Sequence, residues 1–422
     1  MQQTLEILPG VTLRCIHDSR FKQSALSIQL LRPMTQAEAA LNALLPAILL
    51  RGCQEYPDLQ LITQRLDDLY GASIGTLVRR IGDYQTTGFY CGFMEDRFAL
   101  PGDEILAPMI RFTAQLLLEP VTEDGGFSRD FVESEKKNLI STIDSERSDK
   151  RTYAAGQLLK IMCQNDTFGI PRLGETEQVE AIDHVSAYAH YQKILRESPI
   201  EIFYVGSATA EQVAALLTPE LSRIERDPHP LPAQTPFQNA AGREESETQQ
   251  IAQAKLALGF VTPITNHDPR FAAMQIMNAI FGSGMTSKLF MEVREKMSLC
   301  YAIGSGYYGS KGIMTVNAGI DGSKQKEVKE AIFAQLEACR AGNISENELS
   351  AAKESILSGL RSVYDSPGAI EGFFSTAAIS GLGRTPEVYA QQIRAVTVDD
   401  VVEAARTVTF HSAFFLKGAA NE

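Results

Sequence analysis

The chain has 422 residues, of which 44% are apolar and 22% charged, a composition typical of a globular protein with two domains of about 200 residues each. Its formal net charge of −13 argues against a nucleic-acid-binding protein, because such a protein needs a basic face. The sequence does not open on a basic segment followed by an apolar stretch, and it contains no apolar run of about 18 residues, so we expect neither a secretory signal nor a membrane partner.

The cysteines are scattered along the chain, and no two of them form a CxxC pair. There are six, namely Cys15, Cys53, Cys91, Cys163, Cys300 and Cys339. In a chain of this length the pattern predicts reduced thiols in the core rather than a disulfide framework or a metal site. A cytoplasmic location is therefore expected.

Hydrophobic periodicity predicts the elements of the first half of the chain. Alternation predicts strands at 4–7, 11–17, 24–32, 72–81, 85–94 and 200–206. Helical spacing predicts helices at 37–50, 59–69, 108–118, 128–148, 153–163 and 185–194.

The second half repeats this order of elements. Strands are predicted at 253–261, 300–307, 313–321 and 411–418, and helices at 269–281, 287–297, 326–341 and 346–364, with a further helix introduced by Thr397 and Asp400. Ser345 and Glu348 form a capping box at the start of the helix 346–364. The strands IEIFYVG and HSAFFLKG close the two halves at matching places.

A repeat of this length indicates a duplicated domain rather than a solenoid. The segment 226–247 is rich in proline, glutamine and charge and has no periodicity, so we interpret it as a linker. The sequence thus predicts two α+β domains with mostly antiparallel sheets, at 1–225 and 248–422.

The segment SGMTSKLFMEVREKMSLCYAIGSGY, residues 283–307, resembles the second domain of insulinase, or pitrilysin-type (M16-like), peptidases. It combines a glycine-rich turn, a Ser-x-Leu-Phe helix start and an arginine seven residues before a tyrosine, Arg294 and Tyr301. The resemblance extends over nearly the whole chain. It implies helices packed on one face of each sheet, and two such domains forming half of a clamshell.

Active members of that family hold zinc with His-x-x-Glu-His on the first helix, where the two histidines share one helical face. The resemblance places Ala43 and Ala47 at the histidine positions and Pro46 at the glutamate, so we expect no metal and no cofactor. Glu135 matches the third ligand, although its charged neighbours also fit an ordinary solvated helix residue.

The remaining histidines are dispersed and do not rebuild a metal site; they are His17, His184, His190, His229, His267 and His411. The turn FGSGMTSK is not a phosphate-binding Walker pattern. In the family it is a substrate-facing loop, in which Gly282 and Gly284 let the backbone approach another chain.

The resemblance assigns Arg294 and Tyr301 to polarisation of the scissile carbonyl in a partner's site. From the residues alone, Arg294 also fits a solvated helix face and Tyr301 a core aromatic residue. We expect an auxiliary subunit that pairs with a zinc-bearing homologue as a heterodimer and acts on peptides or small flexible proteins. The alternatives are a non-catalytic scaffold or maturation factor and a free-standing zinc peptidase.

The segment 131–154 resembles, more narrowly, the bacterial subgroup associated with 5-aminopentanol modification of elongation factor P. This resemblance implies that the scaffold or maturation role, if it is the correct one, belongs to that modification pathway.

Overall fold

A computed structural model describes residues 2–238 and 241–418, so small parts of the predicted linker and of the C-terminal domain lie outside the described residues. The strands of the first half are β1 (Gln2–Leu8), β2 (Val11–His17), β3 (Gln23–Pro33), β4 (Ser73–Ile81), β5 (Tyr84–Met94), β6 (Thr122–Glu123), β7 (Gly126–Phe127) and β8 (Ile200–Gly206). Its helices are α1 (Ala39–Leu49), α2 (Leu59–Asp68), α3 (Leu106–Leu118), α4 (Arg129–Ser148), α5 (Lys150–Met162), α6 (Thr176–Glu180), α7 (His184–Glu197) and α8 (Ala210–Leu221).

The second half has the strands β9 (Glu244–Gln249), β10 (Ala254–Val261), β11 (Cys300–Tyr308), β12 (Ile313–Ile320) and β13 (Thr409–Gly418). Its helices are α9 (Phe271–Phe281), a π-helix (Leu289–Lys296), α10 (Gln325–Arg340), α11 (Glu346–Ser362), α12 (Pro367–Ile379), α13 (Pro386–Ala395) and α14 (Val398–Thr407). The capping box at Ser345 and Glu348 is present as predicted.

The two main sheets share one plan. The first runs β1-β2-β8-β3-β5-β4 and the second β11-β12-β10-β13-β9. In each sheet the strand that closes its half of the chain, β8 or β13, makes a parallel pair, with β2 or β9, while the other pairs are antiparallel. The prediction of an α+β fold with two mostly antiparallel sheets is confirmed.

The compact units are not contiguous in sequence. One comprises Met1–Asp144, Ile170–Ala233 and Tyr364–Ile379, and the other Ser145–Gly169, Gln234–Val363 and Ser380–Glu422. Each unit therefore takes a helix from the opposite half of the chain: α12 joins the first unit and α5 the second. The boundaries 1–225 and 248–422 miss this exchange, and the predicted linker 226–247 contains most of β9.

The exchanged helices correct the expectation that helices cover one face of each sheet. On β3, Leu26, Ile28 and Leu30 belong to the main core of the first unit. Ser27 and Gln29 face the other way, because side chains alternate along a strand, and both donate hydrogen bonds to Glu371 of α12. In the second unit α5 packs on β10 and β13 in the same manner.

The side chain of Glu371 is fully buried and explains why α12 is fixed on this face. Its carboxylate accepts bonds from the Ser27 hydroxyl at 2.7 Å, from the Gln29 amide at 3.0 Å and from Arg79 of β4 at 3.0 Å. A buried carboxylate is tolerated only when it is paired and hydrogen-bonded in this way.

A second buried ion pair holds the loop after α5 in the second unit. Lys311 lies in the turn between β11 and β12; its ammonium is 2.9 Å from an Asp166 carboxylate oxygen and donates to the Thr235 carbonyl at 3.0 Å. Both charged side chains are almost fully buried.

Two further expectations concern the core and the membrane. The six cysteines are free and buried, as predicted. Among the described residues, no helix is both long enough and apolar enough to cross a bilayer.

Replacing Lys311 by Met should leave the Asp166 carboxylate buried without its cation and lower the free energy of unfolding by about 3–5 kcal/mol. Chemical denaturation of the full chain measures this. Lys326→Met is the matched control, because the Lys326 side chain is 90% exposed, and it should change the value by about 0.5 kcal/mol at most. Equal midpoints for the two variants would contradict the structural role of the pair.

Candidate functional site

Helix α1 carries the three positions to which the family resemblance assigns the zinc motif, and none of the three side chains is a metal ligand. Ala43 and Pro46 are buried, and Ala47 is partly buried. Their carbon atoms have no lone pair for a metal and no carboxylate to activate water. Among the described residues, no group of three or more His, Cys, Asp or Glu side chains is placed to hold a metal ion. The residues present do not fit the zinc centre that active members of the resembling family hold.

Pro46 lies inside α1, where it has no N–H to donate to the carbonyl of Asn42, four residues earlier. Thr87 of β5 supplies a donor instead, because its hydroxyl lies 2.7 Å from that carbonyl oxygen. A buried acceptor without a partner costs about 1–3 kcal/mol. The threonine therefore lets α1 keep its helical path although it contains a proline.

The side chain of Asn42 ties the same turn of α1 to its surroundings. Its amide nitrogen donates to Gln85 of β5 at 2.9 Å, and its oxygen lies 2.7 Å from Nε2 of His190 on α7. The Asn42 nitrogen donates to Gln85, so the atom that faces His190 is the amide oxygen, which can only accept. His190 Nε2 is therefore the donor of the second bond. Burial lowers the pKa of His190 to about 4, so the ring is neutral at neutral pH.

Glu135, which the resemblance places at the third ligand, is not the solvated residue that its neighbours in sequence suggest. It is only 8% exposed, lies 3.4 Å from the guanidinium of Arg51 and accepts a bond from Asn138 at 3.1 Å. Arg51 also lies over the ring of Phe131, 5.7 Å from its centroid. An arginine cation, rather than a set of metal ligands, therefore accompanies this carboxylate.

Arg294 lies in the π-helix of the second unit, a helix type that is rare and often found at functional sites. Its guanidinium stacks on Phe290, 4.6 Å from the ring centroid, and lies 3.5 Å from the Glu295 carboxylate. Arg294 is half-exposed, and its surface ion pair contributes about 0–1 kcal/mol, so the cation is accessible to another acceptor.

Tyr301 is 68% exposed, so the core-aromatic interpretation is wrong. It lies at a register shift between Cys300 and Ala302 at the start of β11, which directs the side chain out of the regular alternation. Ser298, between the π-helix and this strand, has φ of +52°, a left-handed conformation that non-glycine residues rarely adopt. Unusual backbone therefore surrounds both predicted polarising residues, which belong to one continuous segment.

The two glycines of the predicted substrate loop differ from each other. Gly282 is buried, and a Cβ atom on it would overlap Leu289 and Ser305, so internal packing requires this glycine. Gly284 is exposed and has open space around it. A role in binding substrate stays a prediction for both residues.

The sequence did not predict the residues that hydrogen-bond to Asn42 and hold α1 in place. Thr87, Gln85 and His190 are distant from α1 in sequence, and only the pairing of β5 and the packing of α7 bring them to Asn42. One signal was available for Thr87, because a proline inside a helix implies a carbonyl that needs another donor.

Thr87→Val removes the hydroxyl at nearly constant volume and should lower the free energy of unfolding by about 1–3 kcal/mol. In a Pro46→Ala background the helix regains the missing N–H, so the same change should cost clearly less there. Denaturation of the four proteins of this cycle measures the difference.

Thr63→Val is the control for that cycle, because the Thr63 hydroxyl also bonds a helix carbonyl, at 2.8 Å, but is exposed to water. It should have little effect in either background. A cost of Thr87→Val that is the same with and without Pro46 would contradict the compensation.

His190 predicts how stability depends on pH. Its pKa falls from 6.5 to about 4 on folding, so the unfolded chain binds more protons between these values and stability is lost as the pH falls through that range, by about 3 kcal/mol in total. Burial acts to raise the pKa of the neighbouring Glu38, but hydrogen bonds from Arg32 and Lys193 outweigh it and lower that pKa to about 2. The stability that Glu38 contributes is therefore lost only as the pH falls below about 4.5, so it adds little to the pH dependence between 6.5 and 4.5.

His190→Gln should remove most of the decrease in the free energy of unfolding between pH 6.5 and pH 4. His17→Gln, at an exposed position, should leave that decrease unchanged. Denaturation midpoints across this range test the assignment. A slope that is unchanged in the His190 variant would refute it.

Comparisons with known proteins identify similar chains. The family model described as the peptidase M16 inactive domain matches residues 182–356. The probable inactive metalloprotease YmfF of Bacillus subtilis is 27% identical over 409 residues, which cover 97% of this chain and 96% of that protein. An uncharacterized zinc protease of Mycobacterium tuberculosis is 24% identical over 296 residues, covering 69% of this chain and 67% of that protein.

Two solved structures share the fold. A conserved protein from Enterococcus faecalis has a TM-score of 0.93 at 28% identity, and a peptidase M16 inactive domain from Pseudomonas fluorescens has a TM-score of 0.83 at 17% identity. Each comparison covers 100% of this chain and 99% of the other. These matches show that the chain is similar over nearly its whole length to a probable inactive metalloprotease, and that it has the fold of a peptidase M16 inactive domain.

Proposed function

We propose that the chain is the auxiliary subunit of a two-chain peptidase, in which a zinc-bearing homologue supplies the metal centre and this chain supplies Arg294 and Tyr301. The observation that carries the proposal is a contrast between two sites. The ligand positions of α1 have no donor atoms, whereas the arginine and the tyrosine are accessible on a segment of unusual backbone.

The chemistry of amide hydrolysis gives the pair a role. When water adds to the scissile carbonyl, its oxygen gains negative charge, and donors placed at that oxygen lower the barrier. Arg294 offers a permanent cation with several N–H groups, and Tyr301 offers an O–H. The exposed Glu295 beside Arg294 is a weak competitor for that cation.

Other features support a metallopeptidase context. Relatives that carry the printed description of zinc protease match about two thirds of this chain. A peptide or a small flexible protein is the expected substrate, because such enzymes bind extended chains largely through the backbone. We expect the heterodimer to form in the cytoplasm.

Replacing Arg294 by Ala in the complex with the zinc-bearing homologue should lower kcat by about 10²-fold or more, on the scale of losing one transition-state donor. The assay uses unstructured peptides and compares the homologue alone, this chain alone and the mixture. We expect turnover only in the mixture, and a loss in the variant that lies in kcat rather than in KM.

Lys296→Ala is the matched control, because Lys296 is an exposed cation of the same π-helix, paired with Glu292. It should leave turnover and complex formation unchanged. A homologue that is fully active alone, or an Arg294→Ala complex with normal kcat, would reject the auxiliary role and favour a scaffold or maturation factor, with the modification of elongation factor P as its suggested context.

A further inference from the structure

Strand β11 is an outer strand of the second unit's sheet, and part of its outer side is open. The strand pairs with β12 on one side. On the other side the Ser305 N–H donates to the Gly282 carbonyl at 2.9 Å, so the glycine-rich turn covers the edge from that point. Among the described residues, no strand lies beside the stretch 301–304 on that side.

The composition of β11 does little to prevent pairing. Exposed edge strands are commonly protected by lysine, proline or inward-pointing charges. The strand reads CYAIGSGYY and has none of these, apart from the irregularity at its first residues. Its backbone is therefore suited to accept another extended chain.

A groove of about 550 Å³ lies next to this open stretch, within the second unit. Ala302, Gly319 and Lys255 form one cross-strand row on β11, β12 and β10. Gly319 has no side chain, and the space above it holds the ends of Gln253 and Lys255. Since Ala302 and Lys255 both line the groove, it extends from the edge of β11 to a lysine.

The walls of this groove are cationic. Besides Lys255, they include Lys150 and Arg151 at the N-terminus of α5. Asp149 is the one acidic residue of the lining, and its carboxylate accepts the backbone N–H of Arg151 at 2.9 Å and that of Thr152 at 3.2 Å as a helix cap. Partial burial lowers the pKa of Lys255, and its ammonium donates one hydrogen bond to the Gln253 amide oxygen, which leaves its other N–H groups for an anion.

The opposite edge of the same sheet has the reverse charge. Strand β9 reads EESETQ and is mostly exposed. In a chain of net charge −13, the cationic groove beside β11 is therefore a local exception, and an acidic peptide is repelled by one edge of this sheet and attracted to the other.

We propose that an acidic peptide binds here: it adds as a short strand to β11 at 301–304 and places an aspartate or glutamate side chain in the groove of Lys150, Arg151 and Lys255. This inference rests on the proposed function, for which it names the substrate class. Hydrogen bonds to the strand backbone supply affinity, and the cationic groove gives the site its preference for acidic side chains.

The test measures binding to the full chain alone, by fluorescence anisotropy, with labelled peptides amidated at the C-terminus. A peptide with glutamates at alternate positions should bind about tenfold more tightly than the same peptide with glutamines, and added salt should reduce the difference. The triple variant Lys150→Gln, Arg151→Gln, Lys255→Gln should lose this preference while binding the glutamine peptide as the wild type does.

Lys296→Gln and Lys326→Gln form the control, because both lysines are exposed cations of the same unit outside the groove, and they should keep the preference. Equal affinity of the wild type for both peptides, or a preference that survives in the triple variant, would overturn the proposal. Tighter binding of a neutral peptide with a free C-terminal carboxylate than of its amide would overturn the side-chain assignment.

The two proposals fail separately. If the reconstituted pair depends on Arg294 but the chain shows no charge preference, the auxiliary role stands and the acidic-peptide site is wrong. If acidic peptides bind through the groove while Arg294→Ala leaves turnover unchanged, the binding site stands and the catalytic role is wrong.

Discussion

The hydrogen bond from Thr87 to the carbonyl of Asn42 lets helix α1 contain a proline and keep its place in the core. A proline inside a buried helix leaves an acceptor that must be satisfied, and a hydroxyl from the neighbouring strand satisfies it. Gln85 and His190 bond to the side chain of the same asparagine. Helix α1 is thus held firmly in place, although the three positions that the resemblance assigns to the zinc motif carry no ligand side chain.

The paired polar groups around α1 and the accessible groups that could act on another molecule therefore lie in different units of this chain. In the first unit the polar groups near α1 are paired with one another, as Glu135 is with Arg51 and as Asn42 is with Gln85 and His190. In the second unit the chemically useful groups are accessible, and Arg294, Tyr301 and the cations of the groove face solvent at least in part. Saturated polar groups stabilise a fold, whereas accessible ones remain available to another molecule.

Periodicity was sufficient for most of the fold. The predicted strands at 24–32 and 313–321 correspond closely to β3 and β12, because each buries side chains in the strict alternation that a sheet imposes. It missed β9, an exposed edge strand of polar residues with no apolar alternation to detect. It also missed α12, whose sequence PGAIEGFFSTAAI is apolar on several sides and begins with proline and glycine.

The exchange of helices between the units could not be read from the sequence. Glu371 is one acidic residue among many until Ser27, Gln29 and Arg79 are brought around it by strand pairing and packing. The cationic groove could not be read from the sequence either, because about a hundred residues of chain separate Lys150 and Arg151 from Lys255, and the three share no motif.

The sequence by itself determined that α1 offers no metal ligand and that an arginine stands seven residues before a tyrosine, because the presence of a donor atom is a property of one side chain at one position. The tertiary structure alone decided which of these side chains are buried, paired or accessible. Burial and pairing depend on residues that are distant in sequence, and only the packing of strands and helices places them together.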